Sequence, residues 1–206
     1  MEPTSNAITR LSQSGINEAV QILVGAFTGD PLMDYLFPDD ENQCEQLGHF
    51  FHANLEYALI AGEIYLAPSS AGVAVWLFPG DAERPVILRE NDPRLRLKDV
   101  LGEHTYAGLS RFTQFTNKLH RELISGSYFY LMFLGVKKIY QGKGIGSQLI
   151  KPMLARADEK RLPCLLDTIT AKNVEFYTKR NFEVISETEV CGVGPHAWVM
   201  IRHPQP

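Results

Sequence analysis

Cysteine is scarce in this chain: Cys44, Cys164 and Cys191 are the whole complement, odd in number, scattered and without CxxC spacing. That pattern excludes a disulfide framework and a thiolate metal site, and it reads as reduced thiols in a cytoplasmic protein. Long hydrophobic runs are missing too. No stretch approaches the ~20 apolar residues that a membrane-spanning helix needs, and the run from Met1 to Leu11 lacks a cationic and apolar leader pattern. Neither sign of charge dominates, with 20 Lys and Arg against 24 Asp and Glu for a net charge of −4. Nucleic acid and anionic membrane are therefore not expected as partners. His49 and His52 share a helix face but have no third ligand nearby in sequence, so no metal is expected either.

What is present is enough apolar chain for one good core: 206 residues, 45% hydrophobic, read as a single domain over 1–206. Periodicity places a short strand at Ala7–Leu11 and helices at Gly15–Phe27 and Gln43–Ala61. Breaks at Gly29–Pro31 and Phe37–Asp40 lie between the two helices. Glu63–Ala67 and Gly72–Phe78 read as a hairpin joined through Pro68. A variable insert occupies 81–127, with Pro85 and Pro93 near its start and one or two helices between Arg94 and Leu123. Tyr128–Val136 is a nearly uncharged run of aromatic and aliphatic residues, suited to a central strand covered on both faces. A helix runs from Ile145 to about Arg161, with a bend expected at Pro152, where the backbone loses a hydrogen-bond donor. Cys164–Asp167 reads as a further strand. Phe182–Val190 and Ala197–Arg202 form a closing hairpin around a turn at Gly192–Pro195.

The most informative segment joins the Tyr128–Val136 strand to the Ile145 helix. Gly142, Gly144 and Gly146 occur at alternate positions, and glycine both permits positive φ and lets backbone N–H groups approach a ligand closely. The helix beyond them opens with N–H groups lacking intrahelical partners, and Lys137, Lys138 and Lys143 add charge beside its positive end. This combination suits a pyrophosphate. A Walker loop is excluded because Ser147 and Gln148, with no Lys, come after the last glycine. A dinucleotide fingerprint is excluded because the pattern is G-x-G-x-G and lies late in the chain.

The run Gln141, Gly142, Lys143, Gly144, Ile145, Gly146 resembles the Q/R-x-x-G-x-G/A signature of the GNAT N-acetyltransferase superfamily. Asn173 to Tyr177 looks like that family's N-x-x-x-Y helix, and Phe182 like the start of its next strand. Asn181 stands where the family usually has Gly, and Asn is the next most tolerant residue of a left-handed helix end. Ala74–Gly80 and Gly194–Arg202 resemble the subgroup that includes puromycin-type N-acetyltransferases. The resemblance implies a mixed α/β GNAT fold, a mostly antiparallel sheet of about seven strands that splays at its middle and is flanked by helices. It also implies acetyl-CoA as cosubstrate and acetyl transfer to a primary amine, by direct transfer in a ternary complex. Leu134, Gly135 and Val136 would meet the pantetheine and thioester, with Gly135 marking a strand bulge. Gln141, Gly142, Lys143, Gly144, Ile145, Gly146 and Ser147 would hold the pyrophosphate, Asn173 the coenzyme arm, and Tyr177 would protonate the leaving thiolate.

The acceptor side is less legible. Tyr106, Phe112, Phe115 and His120 of the insert, with Trp76, are candidate walls for a small-molecule amine. No acid lies in Tyr128–Val136, so the base is sought among Glu63, Asp167, Glu103, His104 and His120. A monomer or a homodimer fits equally well, and a non-catalytic acyl-CoA sensor with the same fold is the alternative function.

Overall fold

The computed structural model describes residues 7–38, 41–78 and 92–206. Pro79, Gly80, Pro85 and the start of the 81–127 insert fall outside them, as do positions 39 and 40 of the expected second break.

Seven strands form one open sheet. In chain order they are β1 (Thr9–Arg10), β2 (Gly62–Leu66), β3 (Gly72–Leu77), β4 (Phe129–Val136), β5 (Cys164–Thr168), β6 (Glu183–Glu189) and β7 (His196–Arg202). Their order across the sheet is β1-β2-β3-β4-β5-β7-β6. Every pairing is antiparallel except that of β4 with β5. The helices are α1 (Ile16–Phe27), α2 (Pro31–Leu36), α3 (Gln43–Ala61), α4 (Leu97–Leu123), α5 (Ile145–Lys160) and α6 (Ala171–Thr178). The mixed α/β architecture with a mostly antiparallel sheet is the one expected.

The break expected at Gly29–Pro31 is present, and a short helix that was not expected, α2, begins at its last residue. Asp30 caps it by accepting from the N–H groups of Leu32 and Met33, and Pro31 takes the first helical position, where its missing donor costs nothing. The Asp-Pro pair starts a helix here. α4 is interrupted at Gly102, whose φ of 75° and ψ of 162° are not helical. α5 continues as one helix past Pro152, so the bend expected there is not a break in the element. Asn181 adopts φ of 64°, the left-handed end its sequence position implied.

Two apolar layers sandwich the sheet. On one face α1 and α3 pack Leu23, Leu47, Phe51 and Leu55 over Val73, Val75 and Phe133. On the other α5 and α6 pack Leu149, Met153 and Tyr177 over Ala74, Trp76 and Leu131. β4 serves both faces because its register against β3 shifts: Val75 pairs with Phe133 but Trp76 with Leu131, leaving Met132 as an extra residue. Before that bulge the odd residues Phe129 and Leu131 face α5; after it Leu134 and Val136 do, while Met132 and Phe133 both lie on the α1 and α3 side. The bulge is therefore at Met132, not at Gly135. Gly135 has a different reason to be glycine: a Cβ there would sit 2.9 Å from Cδ2 of Leu23 and 3.2 Å from Cβ of Ala26. It lets α1 lie close on the strand.

The chain's end is tied down by charge. Buried Arg202 on β7 donates to both oxygens of Asp158 on α5 at 2.7 and 2.8 Å, and the Gln205 N–H donates to the same carboxylate at 2.7 Å. The Arg202 hydrogen bonds hold the Asp158 carboxyl below the usual aspartate value.

This packing makes two outcomes measurable. Gly135→Ala should destabilise the fold by about 1–3 kcal/mol through overpacking against α1, read as a lower denaturant midpoint; an unchanged midpoint would remove the packing explanation. Asp158→Asn should lower stability at neutral pH. Because the folded pKa is depressed, the wild-type advantage is present above the unfolded value of about 3.9 and is lost as pH falls through the folded one. Thermal melts of the two proteins should therefore converge in acid and separate at neutral pH.

Candidate active site

β4 and β5 pair only at Phe129–Cys164, Tyr130–Leu165 and Leu131–Leu166. Beyond Leu131 they part, as the splay expectation required, although the parting begins earlier than Leu134. Backbone groups of the later β4 residues that point toward β5 lose their ladder partners there and are open to a ligand. The gap is a cavity of about 270 Å³. Its walls include Leu134 and Val136 of β4, Gln141, Asp167 and Thr168 of β5, and Asn173 and Tyr177 of α6.

The glycine loop stands at the rim of this cavity rather than in its wall. Gly142 and Gly144 take φ of 74° and 81°, with open space where a side chain would project, and Gly144 caps α5. These two positions require glycine, since a Cβ is strained at such φ. Gln141 donates from Nε2 to the Val136 carbonyl at 3.1 Å, closing the turn against the strand end. Gly142, Lys143 and Gly144 are exposed, while Ile145, Gly146 and Ser147 are half-buried in the first turn of α5. The free N–H groups of that turn and its dipole suit an anion.

Sequence reasoning missed Arg180. Its guanidinium lies 3.5 Å over the Phe176 ring and donates to the Ser147 hydroxyl, placing a cation beside the N-terminus of α5. A signal was available, because Arg180 lies three positions after Tyr177, one helical turn beyond the N-x-x-x-Y run. Asn173 and Tyr177 lie one turn apart on α6, the first exposed and the second 7% exposed. Burial raises the Tyr177 phenol well above its ordinary value, with Arg180 opposing weakly, so it stays protonated through the neutral range.

The smaller cavity also reaches the α1, α3 and α4 side of the sheet, through Phe27, Phe50 and Phe112, and there a second cavity, of about 530 Å³, shares Phe50, Phe112, Thr116, Tyr130 and Met132 with it. Of the insert residues expected to form acceptor walls, Tyr106 and His120 line the larger cavity, Phe115 the smaller and Phe112 both. Trp76 does not line either. It is fully buried on the α5 face, because β3 directs Ala74 and Trp76 to that side and Val73 and Val75 to the other.

The base candidates separate in the same way. Glu63 is buried outside both cavities, taking Arg156 at 2.9 Å, Arg10 at 3.3 Å and the Tyr65 hydroxyl at 2.7 Å. Burial works to raise its pKa, but the Tyr65 and Arg156 hydrogen bonds and the charges of Arg156 and Arg10 outweigh that and lower it. Glu103 and His104 are exposed on α4 and line neither cavity. Asp167 and His120 come together where the cavities meet. Nε2 of His120 lies 2.9 and 3.0 Å from the two Asp167 oxygens, and the Tyr130 hydroxyl donates to Asp167 at 2.7 Å. Burial first and then the Asp167 charge push the Tyr130 phenol well above its usual range. Among the described residues no cluster of three or more His, Cys, Asp or Glu suited to a metal ion is present. No described helix is long and apolar enough to cross a membrane.

Known proteins resemble the chain along the same lines. A family model described as an acetyltransferase (GNAT) domain matches residues 103–184. An uncharacterized N-acetyltransferase of Schizosaccharomyces pombe is 28% identical over 183 residues, covering 85% of this chain and 74% of the relative. Among solved structures, an acetyltransferase from Corynebacterium glutamicum, described with histone acetyltransferase HPA2, superposes with a TM-score of 0.70 at 20% identity over 97% of each chain. Arylalkylamine N-acetyltransferase 2 of Aedes aegypti gives 0.61 at 14% identity, over 96% of this chain and 98% of that one. A polyamine N-acetyltransferase of Drosophila melanogaster gives 0.62 at 9% identity, over 96% and 99%. At these identities the structures share the fold.

Tyr130→Phe removes a hydrogen bond to a carboxylate, an interaction worth about 1.5–3 kcal/mol in a buried setting. The variant should unfold at a lower temperature than the parent. An unchanged melting temperature would mean that Asp167 is held by His120 alone.

Proposed function

Because this chain belongs to the GNAT acetyltransferase superfamily, we propose that it is an acetyl-CoA-dependent N-acetyltransferase that acylates the primary amine of a small molecule by direct transfer in a ternary complex. The observation that carries this reading is the cleft between β4 and β5. It opens beside the glycine loop, has Asn173 and Tyr177 in its wall, and shares residues with a second, larger cavity walled by α3 and α4. Donor and acceptor thus have separate approaches to one gap.

The residues fit the coenzyme on structural grounds. Gly142 and Gly144 keep the space beside the α5 N-terminus clear, and that terminus offers unpaired N–H groups with Arg180 and Lys143 nearby. Gln141 through Ser147 would hold the pyrophosphate and Asn173 the pantetheine arm. When bound, acetyl-CoA supplies an acyl group activated as a thioester. Leu134 and Val136 lie on the stretch of β4 that has left β5, and a main-chain N–H there would stabilise developing negative charge on the acyl oxygen, an effect worth about 3–4 kcal/mol per good donor. Gly135 contributes by its close approach to α1, which fixes the strand. Tyr177, protonated at neutral pH because it is buried, would give its proton to the departing sulfur. The acceptor cavity of about 530 Å³ is of a size that takes a small molecule.

The reading is tested by thiol release from acetyl-CoA across a panel of small amines, with coenzyme binding followed by calorimetry. Tyr177→Phe should bind CoA like the parent and lose about 100-fold in kcat, the usual scale of general acid catalysis. Failure of the parent protein to bind CoA would overturn the proposal. Binding without turnover of any amine would favour a non-catalytic acyl-CoA sensor.

A further inference from the structure

An amine that is protonated in water must lose a proton before it can attack, and the described groups at the junction of the two cavities are arranged for that step. Asp167 is a carboxylate, so the hydrogen on each of its contacts comes from the neighbour: from the Tyr130 hydroxyl at 2.7 Å and from Nε2 of His120 at 2.9 and 3.0 Å. In neutral His120 the proton therefore resides on Nε2, and the ring's basic lone pair is on Nδ1. The ring is 6% exposed, and it lines the larger cavity. Asp167 takes both of these hydrogens and holds the ring with Nδ1 turned away from the carboxylate, so a proton taken up on Nδ1 leaves the Nε2 contact in place. The other titratable groups around His120 do not compete. Tyr130 and Tyr128 on β4 are phenols raised by burial and by Asp167, and Tyr57 and Tyr106 are phenols in the cavity wall. The remaining charges facing the cavity are Asp92 and Arg94, bonded to each other at 2.9 Å.

We propose that His120 is the proton acceptor for the amine, that Asp167 and Tyr130 are positioning residues that fix its tautomer, and that the acceptor amine enters through the larger cavity. This rests on the N-acetyltransferase reading. The ammonium nitrogen passes one proton to Nδ1 of His120, freeing its lone pair. A C–N bond then forms to the acyl carbon as the C–S bond breaks. The electron pair of that bond leaves on sulfur, which takes the Tyr177 proton. The amide nitrogen sheds its second proton, which restores Tyr177, and His120 returns its own to water.

The test uses His120→Gln, whose side-chain amide can still donate to Asp167 but cannot take up a proton, and Asp167→Asn, whose amide can donate to Nε2 and so moves the ring proton to Nδ1. With an alkyl amine found by the thiol-release screen, both variants should fall about 100-fold in kcat/KM at neutral pH. The deficit should shrink as pH rises and the amine deprotonates by itself. With hydroxylamine, uncharged at neutral pH, both should remain within a few-fold of the parent, and CoA affinity should be unchanged. Independently of turnover, nitrogen-15 NMR of histidine-labelled protein should find His120 with its proton on Nε2 in the parent and on Nδ1 in Asp167→Asn. A parent-like pH profile in His120→Gln, an equal loss with hydroxylamine, or a parent ring protonated on Nδ1 each overturns the assignment while leaving the N-acetyltransferase reading standing. A parent protein that acylates neither amine nor hydroxylamine overturns both.

Discussion

The constraint on which this structure turns is that β4 belongs to two different sheets of contacts at once. Through Leu131 it is an ordinary parallel partner of β5; from Met132 onward it pairs with β3 alone. The extra residue at Met132 makes the change possible. It rotates the strand so that Leu134 and Val136 face α5 and Phe133 faces α1 and α3, with a ring of aromatic contacts to Phe27, Phe50 and Phe51 holding Phe133 in place. Breaking a ladder in the middle of a sheet leaves polar backbone exposed to a cleft, which a purely structural strand would avoid. The surrounding apolar packing stabilises a gap that is useful only if something occupies it.

That gap divides the molecule's chemistry between two faces. Everything suited to anions lies on the α5 and α6 side: the left-handed glycines, the open first turn of α5, Lys143 and Arg180. The larger cavity is walled by α3, α4 and β4; of its described residues Asp92 and Arg94 are paired with each other, and His120 reaches Asp167 in the wall of the smaller cavity. In the proposed reaction the two substrates would meet at the splay.

Features carried by neighbouring residues are legible in the sequence, and features created by pairing are not. The apolar run into alternating glycines announces strand, loop and helix, and Asn181 at a helix end announces a left-handed residue; both are present. Glycine is the usual marker of a bulge, which points to Gly135, yet the bulge's position is set by register against β3, and Met132 carries no local sign of it. Gly135 instead records the approach of α1, a contact with Leu23 and Ala26 more than a hundred positions earlier in the chain. Trp76 misleads for a related reason. Both faces of β3 are apolar and all six of its residues are buried, so no alternation reveals which face the ring takes. The meeting of His120 with Asp167 spans 47 positions and depends on where α4 crosses the sheet, which nothing in its own periodicity fixes.

Two tyrosines border the same cleft, Tyr177 buried and Tyr130 half-buried, and the difference between them bears on which one suits the proposed acid step. Burial raises both phenols. For Tyr130 the Asp167 carboxylate adds to the effect and takes the hydroxyl hydrogen at 2.7 Å, so that proton is already committed. For Tyr177 the charge of Arg180 pulls in the opposite direction. A phenol kept neutral by burial alone can release its proton when a thiolate forms beside it, and the neighbouring guanidinium stabilises the phenolate for the moment it exists. A phenol bound to a carboxylate would have to abandon a charged partner to do the same. In the proposed reaction, the hydrogen bond of one carboxylate to Tyr130 and not to Tyr177 is what would leave Tyr177 as the acid and Tyr130 as a strut.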